Sequence, residues 1–328
     1  MYRKTLKILE KTYLNFIKFF IKIYVNQKRV GRMTKIARYA EIQSTLKKNL
    51  KLQLETILQK QKLNYLDVGA GNIEEILHPF DTSILKYKSF FNNVLIEPIP
   101  SEYRLLKKDH QHVIQKIVSS KKGKVKLNIL NHKSLSSTLD INGPFFHYYL
   151  SDFQKKKKKL IIDKIIFEDS ITIDEIGKEL KLNFDLIKLD TQGNEYEILR
   201  SIKVSKPFII KTEVSLGPIY KKQKLFYDIG SLLYKKGYIL FNMSIANRPI
   251  PEVENFVKSG MNVSLGIPLH GDVFFMPDWT RKIGKKIIEK NIRKWGALML
   301  IFGQEQLLNY IIENYKLKSS SLIKNILN

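Results

Sequence analysis

The segment Leu63-Asn-Tyr-Leu-Asp67-Val-Gly69-Ala70-Gly71-Asn72 constrains the fold more than any other part of the chain. An apolar run ending in an acidic residue and closely spaced glycines describes a strand that turns sharply into a ligand-sized pocket. Gly69 and Gly71 can take backbone angles that a side chain forbids, and they let the main chain approach a ligand closely. Asp67 offers an acceptor at the carboxyl end of the same strand.

A second short apolar strand, Asn93-Val-Leu-Ile-Glu97-Pro98, also stops at a carboxylate, at about the interval a βαβ unit needs. Glu97 can accept hydrogen bonds from the two hydroxyls of a ribose. The loop after the first strand then separates one ligand class from another. A G-x-G-x-x-G loop would carry its third glycine at position 74, where this chain has Glu74 followed by Glu75. Two carboxylates at a helix start repel a pyrophosphate and suit a cationic or phosphate-free ligand. S-adenosylmethionine, a sulfonium bearing adenosine and no phosphate, meets this condition better than a nicotinamide dinucleotide.

From about 62 to 278, short strands alternate with helical segments, the pattern of a parallel α/β sheet. Strands are predicted over 63–68, 93–97, 112–118, 184–190, 207–214, 237–243 and 272–276. Lys124 to Leu130 alternates like an extra strand, with which Asp163 to Phe167 can pair, and the cluster Ser134-Leu-Ser-Ser-Thr138 lies between them. Lys222 to Lys236 reads as a helix closed by Gly237, with a strand starting at Tyr238.

The flanks differ from this pattern. Residues 1–60 read as a basic helical extension, 61–278 as the catalytic domain and 279–328 as a C-terminal helical extension. On a helix, Leu6, Leu9, Tyr13, Phe16, Ile17, Phe20, Ile23 and Tyr24 share one face, while Lys4, Lys7, Lys11, Lys18 and Lys22 lie opposite. Such a segment packs on its own domain or a second subunit, or lies on an anionic membrane through residues 1–26. Ile283, Ile287, Ile288, Ile292 and Trp295 also recur at helical spacing, and Leu307 to Tyr315 continues similarly. These terminal helices are expected to be a cap or a subunit contact, which leaves a homo-oligomer open.

Chain length permits a full core. The formal charge of +26 suggests nucleic acid or an anionic surface, yet 48 of the 57 basic residues are lysine, a bias that an A+T-rich coding sequence also produces. The run Lys155 to Lys159 is read as a solvated loop. With no cysteine, the chain has no disulfide framework, thiolate-bound metal or thiol catalysis. No apolar stretch has the length of a membrane span and no cleavage site follows an apolar core, so a cytoplasmic protein is expected, with a place on the inner membrane face if residues 1–26 bind lipid.

The segment Asn183-Phe-Asp-Leu-Ile-Lys-Leu-Asp190-Thr-Gln192-Gly193-Asn-Glu195 is a third apolar strand opening into a polar turn. Ligands of open α/β sheets lie beyond the carboxyl ends of the strands, so Asp190 should face the same crevice as Asp67 and Glu97. Alone, such an acid is commonly a helix N-cap; three together describe a site.

At these residues the chain resembles the FkbM-type S-adenosylmethionine-dependent methyltransferases. The matching elements are Leu66-Asp-Val-Gly-Ala, Ile96-Glu97-Pro98, Ser170-Ile-Thr-Ile-Asp174-Glu-Ile and Asp185-Leu-Ile-Lys188-Leu-Asp190-Thr-Gln192-Gly193-Asn-Glu195. Glu213, Tyr220, Leu233 with Gly237-Tyr238, and Gly271-Asp272-Val-Phe274-Phe275 follow in order, so the likeness covers about residues 62–278. It implies a class I, Rossmann-like fold: a seven-stranded, mostly parallel sheet with a reversed last hairpin. It also implies methyl transfer to a hydroxyl oxygen, with a sugar of a glycan or glycolipid as the expected acceptor. On this resemblance Asp67, Gly69, Ala70 and Gly71 form the cofactor loop, Glu97 and Pro98 hold the ribose, Ser119 sits near the adenine and Asp190 lies at the methyl-transfer position. The usual D-x-G-A-N-x-G is altered here to Gly71-Asn72-Ile73.

Methyl transfer from a sulfonium needs in-line approach of a lone pair and, in some enzymes, a base or a metal. The candidates for catalysis are Asp190, Glu213 and His270, beside Asp272; no metal is assigned. Glu213 could otherwise be a buried acid paired with Lys188 or Lys211, and His270 a solvated loop residue ahead of a strand. Enzymes that methylate base or amide nitrogens carry [D/N]-P-P-[F/Y/W] at this strand end, which is missing here and disfavours an RNA methyltransferase. A non-catalytic, membrane-associated protein retaining the fold is the remaining alternative, against which Asp67, Glu97 and Asp190 speak.

Overall fold

The computed structural model describes residues 50–71, 86–149, 161–248 and 267–327. The amphipathic segment 1–26, the loop carrying Asn72, Glu74 and Glu75, and the run Lys155 to Lys159 lie outside the described residues. The chain falls into two units, Met1–Glu55 and Thr56–Asn328. Of the first, the described residues 50–55 are helical.

The strands of the second unit, in chain order, are β1 (Leu63–Val68), β2 (Phe91–Ile96), β3 (Val113–Ile114), β4 (Ile117–Val118), β5 (Gly123–Leu130), β6 (Ile162–Ile171), β7 (Leu186–Leu189), β8 (Ile209–Ser215), β9 (Tyr238–Arg248) and β10 (Ile267–Pro277). Its helices are α1 (Pro100–Asp109), α2 (Gly143–Tyr149), α3 (Ile173–Leu180), α4 (Glu195–Ser201), α5 (Phe226–Lys235), α6 (Lys282–Ile288), α7 (Ile292–Ile301), α8 (Glu305–Asn314) and α9 (Ser321–Leu327). Among the described residues seven strands form one sheet in the order β3-β2-β1-β7-β8-β10-β9, and β4-β6-β5 form a smaller one. β1 runs parallel to β2 and β7, and β7 parallel to β8, while β10 is antiparallel to both β8 and β9.

Leu66, Ile187, Leu189 and Ile209 are fully buried, as expected of parallel strands covered on both faces. Each such side chain contributes about 2 kcal/mol of apolar burial. From β1 the chain moves outward to β2 and β3 on one side, and later to β7 and β8 on the other. That reversal opens a crevice at the carboxyl ends of β1 and β7.

Most predicted strands recur within two residues of their expected ends, with differences that have local causes. The stretch 112–118 is two strands. Val113 pairs with Leu95 in the large sheet, whereas Ile117 pairs with Ser170 in the small one, the chain crossing between them at Gln115-Lys116. β5 and β6 pair as expected, and the structure makes the pair antiparallel. β10 begins at Ile267 because it pairs with β9 along most of its length, and His270 is therefore a strand residue and not a solvated loop residue. The helix predicted from Lys222 starts only at Phe226, since Lys222 takes φ 63° and Asp228 Oδ2 accepts from Leu225 N at 3.0 Å, which sets the start of the helix. Gly237 closes the helix at φ 92°, where a Cβ would come within 1.8 Å of Ile283 Cγ2.

The C-terminal helical pattern is broken between α6 and α7, where the Asn291 side chain accepts from Lys294 N at 3.1 Å and starts a new helix. Trp295 to Ile301 are buried. Asn291 Nδ2 donates to Gln61 Oε1 at 3.0 Å, and Lys294 Nζ meets Asp185 Oδ2 at 2.6 Å. The same Asp185 oxygen accepts from Asn64 N at 2.8 Å. α7 is thereby tied to the amino ends of β1 and β7, opposite the crevice. Among the described residues no helix is long and apolar enough to cross a membrane.

Lys294→Met should leave the Asp185 carboxylate, 7% exposed, without its cation. Urea unfolding should show a loss of about 3 kcal/mol, the cost of breaking a buried pair from one side. A loss below about 0.5 kcal/mol would mean that the C-terminal helices are not held by this contact.

Candidate active site

A cavity of about 750 Å3 opens beyond the carboxyl ends of β1, β2 and β7. Val68, Gly69 and Gly71 line it from the turn after β1, and Ile96, Glu97 and Pro98 from the end of β2. Asp190, Thr191, Gln192 and Asn194 line it from the turn after β7. The small sheet and its loops complete the wall with Ile117, Val118 and Leu127, and with the polar run Asn131 to Thr138.

The turn after β1 is shaped by main-chain proximity. Gly69 has φ 76°, and a Cβ there would lie 1.9 Å from the carbonyl oxygen of Asp190. Gly69 N and Ala70 N both donate to Ile96 O, at 3.0 and 3.1 Å. Gly71, at φ 24°, donates its N–H to Glu97 Oε2 at 3.0 Å, while Glu97 Oε1 accepts from Ile99 N at 2.7 Å. Glu97 therefore straps the glycine turn to the entry of α1. Burial pushes its carboxyl up to about 7, against the lowering effect of those two N–H groups.

Asp67 and Ser119 stand apart from this cavity. Asp67 is directly opposite Lys188 in the sheet and pairs with it at 3.0 Å, while its other oxygen accepts from Tyr65 OH at 2.9 Å. Val68, one residue later, reaches the cavity wall, whereas the Asp67 carboxylate is taken up by Lys188 and Tyr65 within the sheet. Ser119 donates its N–H to Ile171 O at 3.0 Å, and the cavity wall is made instead by Lys116, Ile117 and Val118 before it. Ala70 packs against Leu95, Leu106 and Val113 and gives the turn an apolar footing.

The turn after β7 carries the denser polar network. Glu195 is buried, and its Oε1 accepts from Thr191 N at 2.8 Å and Thr191 Oγ1 at 2.9 Å. Its Oε2 accepts from Gly193 N at 3.0 Å. Gln192 between them takes φ 55°, an uncommon angle for a residue with a side chain. Its Nε2 donates to Asp190 Oδ1 at 2.8 Å and to Glu213 Oε2 at 2.7 Å. Glu213 Oε1 lies 3.2 Å from His270 Nδ1. Burial, with the nearby Asp190, Glu195 and Asp272 carboxylates, pushes Glu213 well above the usual carboxylate range.

The candidates Asp190, Glu213 and His270 thus form one chain of contacts, with only Asp190 on the cavity wall. Glu213 meets Gln192 and His270, while Lys188 holds Asp67 and Lys211 Nζ is 3.3 Å from Asp272 Oδ2. Gln192, Glu195 and Tyr220 were visible in the sequence as motif residues without a role. The signal that could have found Gln192 is an amide placed two residues after one acid and on the turn facing another. Among the described residues no group of three or more His, Cys, Asp or Glu side chains is arranged to hold a metal ion.

The family model described as the methyltransferase FkbM domain matches residues 67–240, more than half of the chain. The chain belongs to the FkbM methyltransferase family. Its sheet order, with β10 inserted antiparallel between β8 and β9, is the class I methyltransferase arrangement, and S-adenosyl-L-methionine is the cofactor of this FkbM enzyme. No curated protein sequence matches it. Among solved structures, it is similar to the magnesium protoporphyrin IX methyltransferase ChlM of Synechocystis PCC 6803 with bound SAM, at 7% identity and TM-score 0.33, over 72% of this chain and 82% of that one. It is also similar to Sp1610 of Streptococcus pneumoniae, a putative tRNA (m1A22) methyltransferase, at 11% identity and TM-score 0.29, over 85% and 98%. At those scores the overlaps carry no argument about acceptor or mechanism.

The raised Glu97 carboxyl has a consequence for stability. A folded-state pKa of about 7 against 4.5 means that its contribution is full below about pH 4.5 and lost as pH rises through about 7. Unfolding of Glu97→Gln and the parent at about pH 5 and about pH 8 should show the variant gaining on the parent at the higher pH, by up to about 3 kcal/mol. An offset that is the same at both pH values would contradict the burial of an ionisable group here.

Proposed function

We propose that this FkbM-family enzyme methylates a hydroxyl oxygen, that of a sugar in a glycan or glycolipid. The observation that carries the reading is the Asp190-Thr-Gln192-Gly193 turn. It presents a carboxylate to the cleft with a second carboxylate, Glu213, one amide behind it. A hydroxyl must give up its proton as it is methylated, and the Asp190 carboxylate can receive it, with Glu213 and its attached imidazole behind. A flat nitrogen acceptor would instead call for a proline-stiffened aromatic clamp, which this turn lacks.

The cavity's residues suit the cofactor. Glu97 has lone pairs left beyond its two main-chain donors and can accept from the ribose hydroxyls. Ile99, Ile117, Val118 and Leu127 offer an apolar wall for a flat base. Asp190 supplies negative charge for a sulfonium. When bound, S-adenosylmethionine supplies a methyl group on a positively charged sulfur. Asp190 then orients the acceptor hydroxyl and takes its proton, and Glu213 with His270 stands behind as the reserve of proton capacity. The polar run Asn131 to Thr138 would meet a hydroxyl-rich acceptor, and contact of residues 1–26 with an anionic membrane would bring a lipid-linked sugar within reach.

Methyl-labelled cofactor incubated with separated glycan, glycolipid and RNA fractions tests the acceptor class. Label should enter a carbohydrate fraction as an alkali-stable ether, and label confined to ribonuclease-sensitive material would refute the proposal. Asp190→Ala should lower turnover by about 100-fold or more while cofactor affinity changes much less. Glu97→Ala should weaken cofactor binding by about 10-fold or more, read by calorimetry. Asp67→Ala, which removes the partner of Lys188 and lies off the cavity wall, should lower stability more than cofactor affinity.

A further inference from the structure

We infer that Gln192 is a positioning residue for methyl transfer: its amide, oriented by Tyr220, bridges Asp190 and Glu213 and turns the Asp190 carboxylate to the cleft. The inference rests on the reading of Asp190 as the carboxylate that faces the reacting atoms.

Three contacts fix this side chain, and a fourth holds its main chain. Both hydrogens of Nε2 are used, one on Asp190 and one on Glu213. The opposite amide orientation would set a carbonyl oxygen against two carboxylates, so the donors face the acids. Tyr220 OH stands 3.1 Å from Gln192 Oε1 and 2.9 Å from Leu135 O, on the far side of the amide. Ser137 Oγ donates to the main-chain oxygen of Gln192 at 2.6 Å. Glu195 holds the amides on either side of it, at Thr191 and Gly193. Three separate parts of the chain therefore converge on a residue whose backbone is in the left-handed region, a conformation that persists only where its surroundings over-determine it.

Tyr220 is itself buried and held by several contacts. Its ring is buried against Phe146, at 6.1 Å between centroids, and its N–H donates to Gln223 Oε1 at 3.1 Å. Gln223 is in turn held by Ser215 Oγ on β8 at 2.8 Å. The tyrosine thus transmits the position of β8, which carries Glu213, to the amide that touches Asp190 on β7.

The Asp190 and Glu213 side chains also stand within hydrogen-bond reach of each other, and the amide is the neutral donor they share. The other charged groups around the pair are Glu195 on α4, and His270 and Asp272 on β10, the last matched by Lys211. Nothing in that set replaces a neutral donor to both acids at once. The consequence is a division of labour: one carboxylate faces the cleft, and the other stays behind it against His270.

The test compares Gln192→Leu and Tyr220→Phe with the parent full-length chain. The Glu213 resonance in carbon-13 carboxyl NMR is assigned by its loss in Glu213→Gln. Removing a donor to the charged form moves a titration upward, so Glu213 should titrate higher in Gln192→Leu by about one pH unit, and higher by less in Tyr220→Phe. In the methyl-transfer assay on the carbohydrate fraction, both variants should lose turnover, by about 10-fold or more for Gln192→Leu, with the KM for S-adenosylmethionine changed by less than about three-fold. A Glu213 titration that does not move in folded Tyr220→Phe and Gln192→Leu overturns the inference, as does a loss that appears only in cofactor KM. If Gln192→Leu does not fold, Tyr220→Phe decides alone. The titration involves no acceptor, so an error in the acceptor class leaves it readable, and a null titration leaves the acceptor class standing.

Discussion

The site depends on a main-chain contact: the turn after β1 lies so close to the tip of β7 that only a hydrogen fits at the Cα of Gly69 beside the Asp190 carbonyl. Two parallel strands whose following segments depart in opposite directions leave a gap at their ends. That gap becomes a walled cleft only if the backbone on one side can be drawn against the other. Gly69 permits the approach, and the Ile96 carbonyl, which takes two N–H groups of the turn, holds it.

The acids around the cleft divide into those that hold backbone and those that face the cavity. Glu195 is spent on the amides of its own turn, and Glu97 spans both classes, lining the cavity while gripping Gly71 and Ile99. Asp67, although it stands at a strand end, serves the sheet by matching Lys188. Buried carboxylates this close together raise one another's proton affinity, and the protein answers with neutral donors, an amide, a threonine hydroxyl and main-chain N–H groups, more than with cations.

How far this was legible in the sequence depends on the kind of signal. Strands buried on both faces announce themselves as apolar runs, and the glycine turn and the Glu97 and Asp190 tips were placed by position alone. Asp67 stands two register positions short of Glu97 and Asp190, and only the partner strand, with Lys188 opposite, reveals that its carboxylate is taken up within the sheet. The split of 112–118 depends on which neighbour receives each hydrogen bond, Leu95 or Ser170, and neither is near in sequence. The left-handed angle at Gln192 leaves no compositional trace, since it is imposed by Ser137, Tyr220 and Glu195 from elsewhere in the chain. The break before α7 was encoded in Asn291, a capping residue, but was masked by the uninterrupted spacing of the isoleucines around it.

Among the described residues the small sheet β4-β6-β5 is a separate hydrogen-bonded unit from the large one, yet it and its loops supply part of the cleft wall. Selection can therefore rewrite the outer part of that wall at His132, Lys133 or Ser134 without shifting the register of any strand of the large sheet. Leu135 and Ser137, which reach Tyr220 and Gln192, have to be kept, and Asn131 to Ser134 is the stretch to exchange when engineering a new specificity.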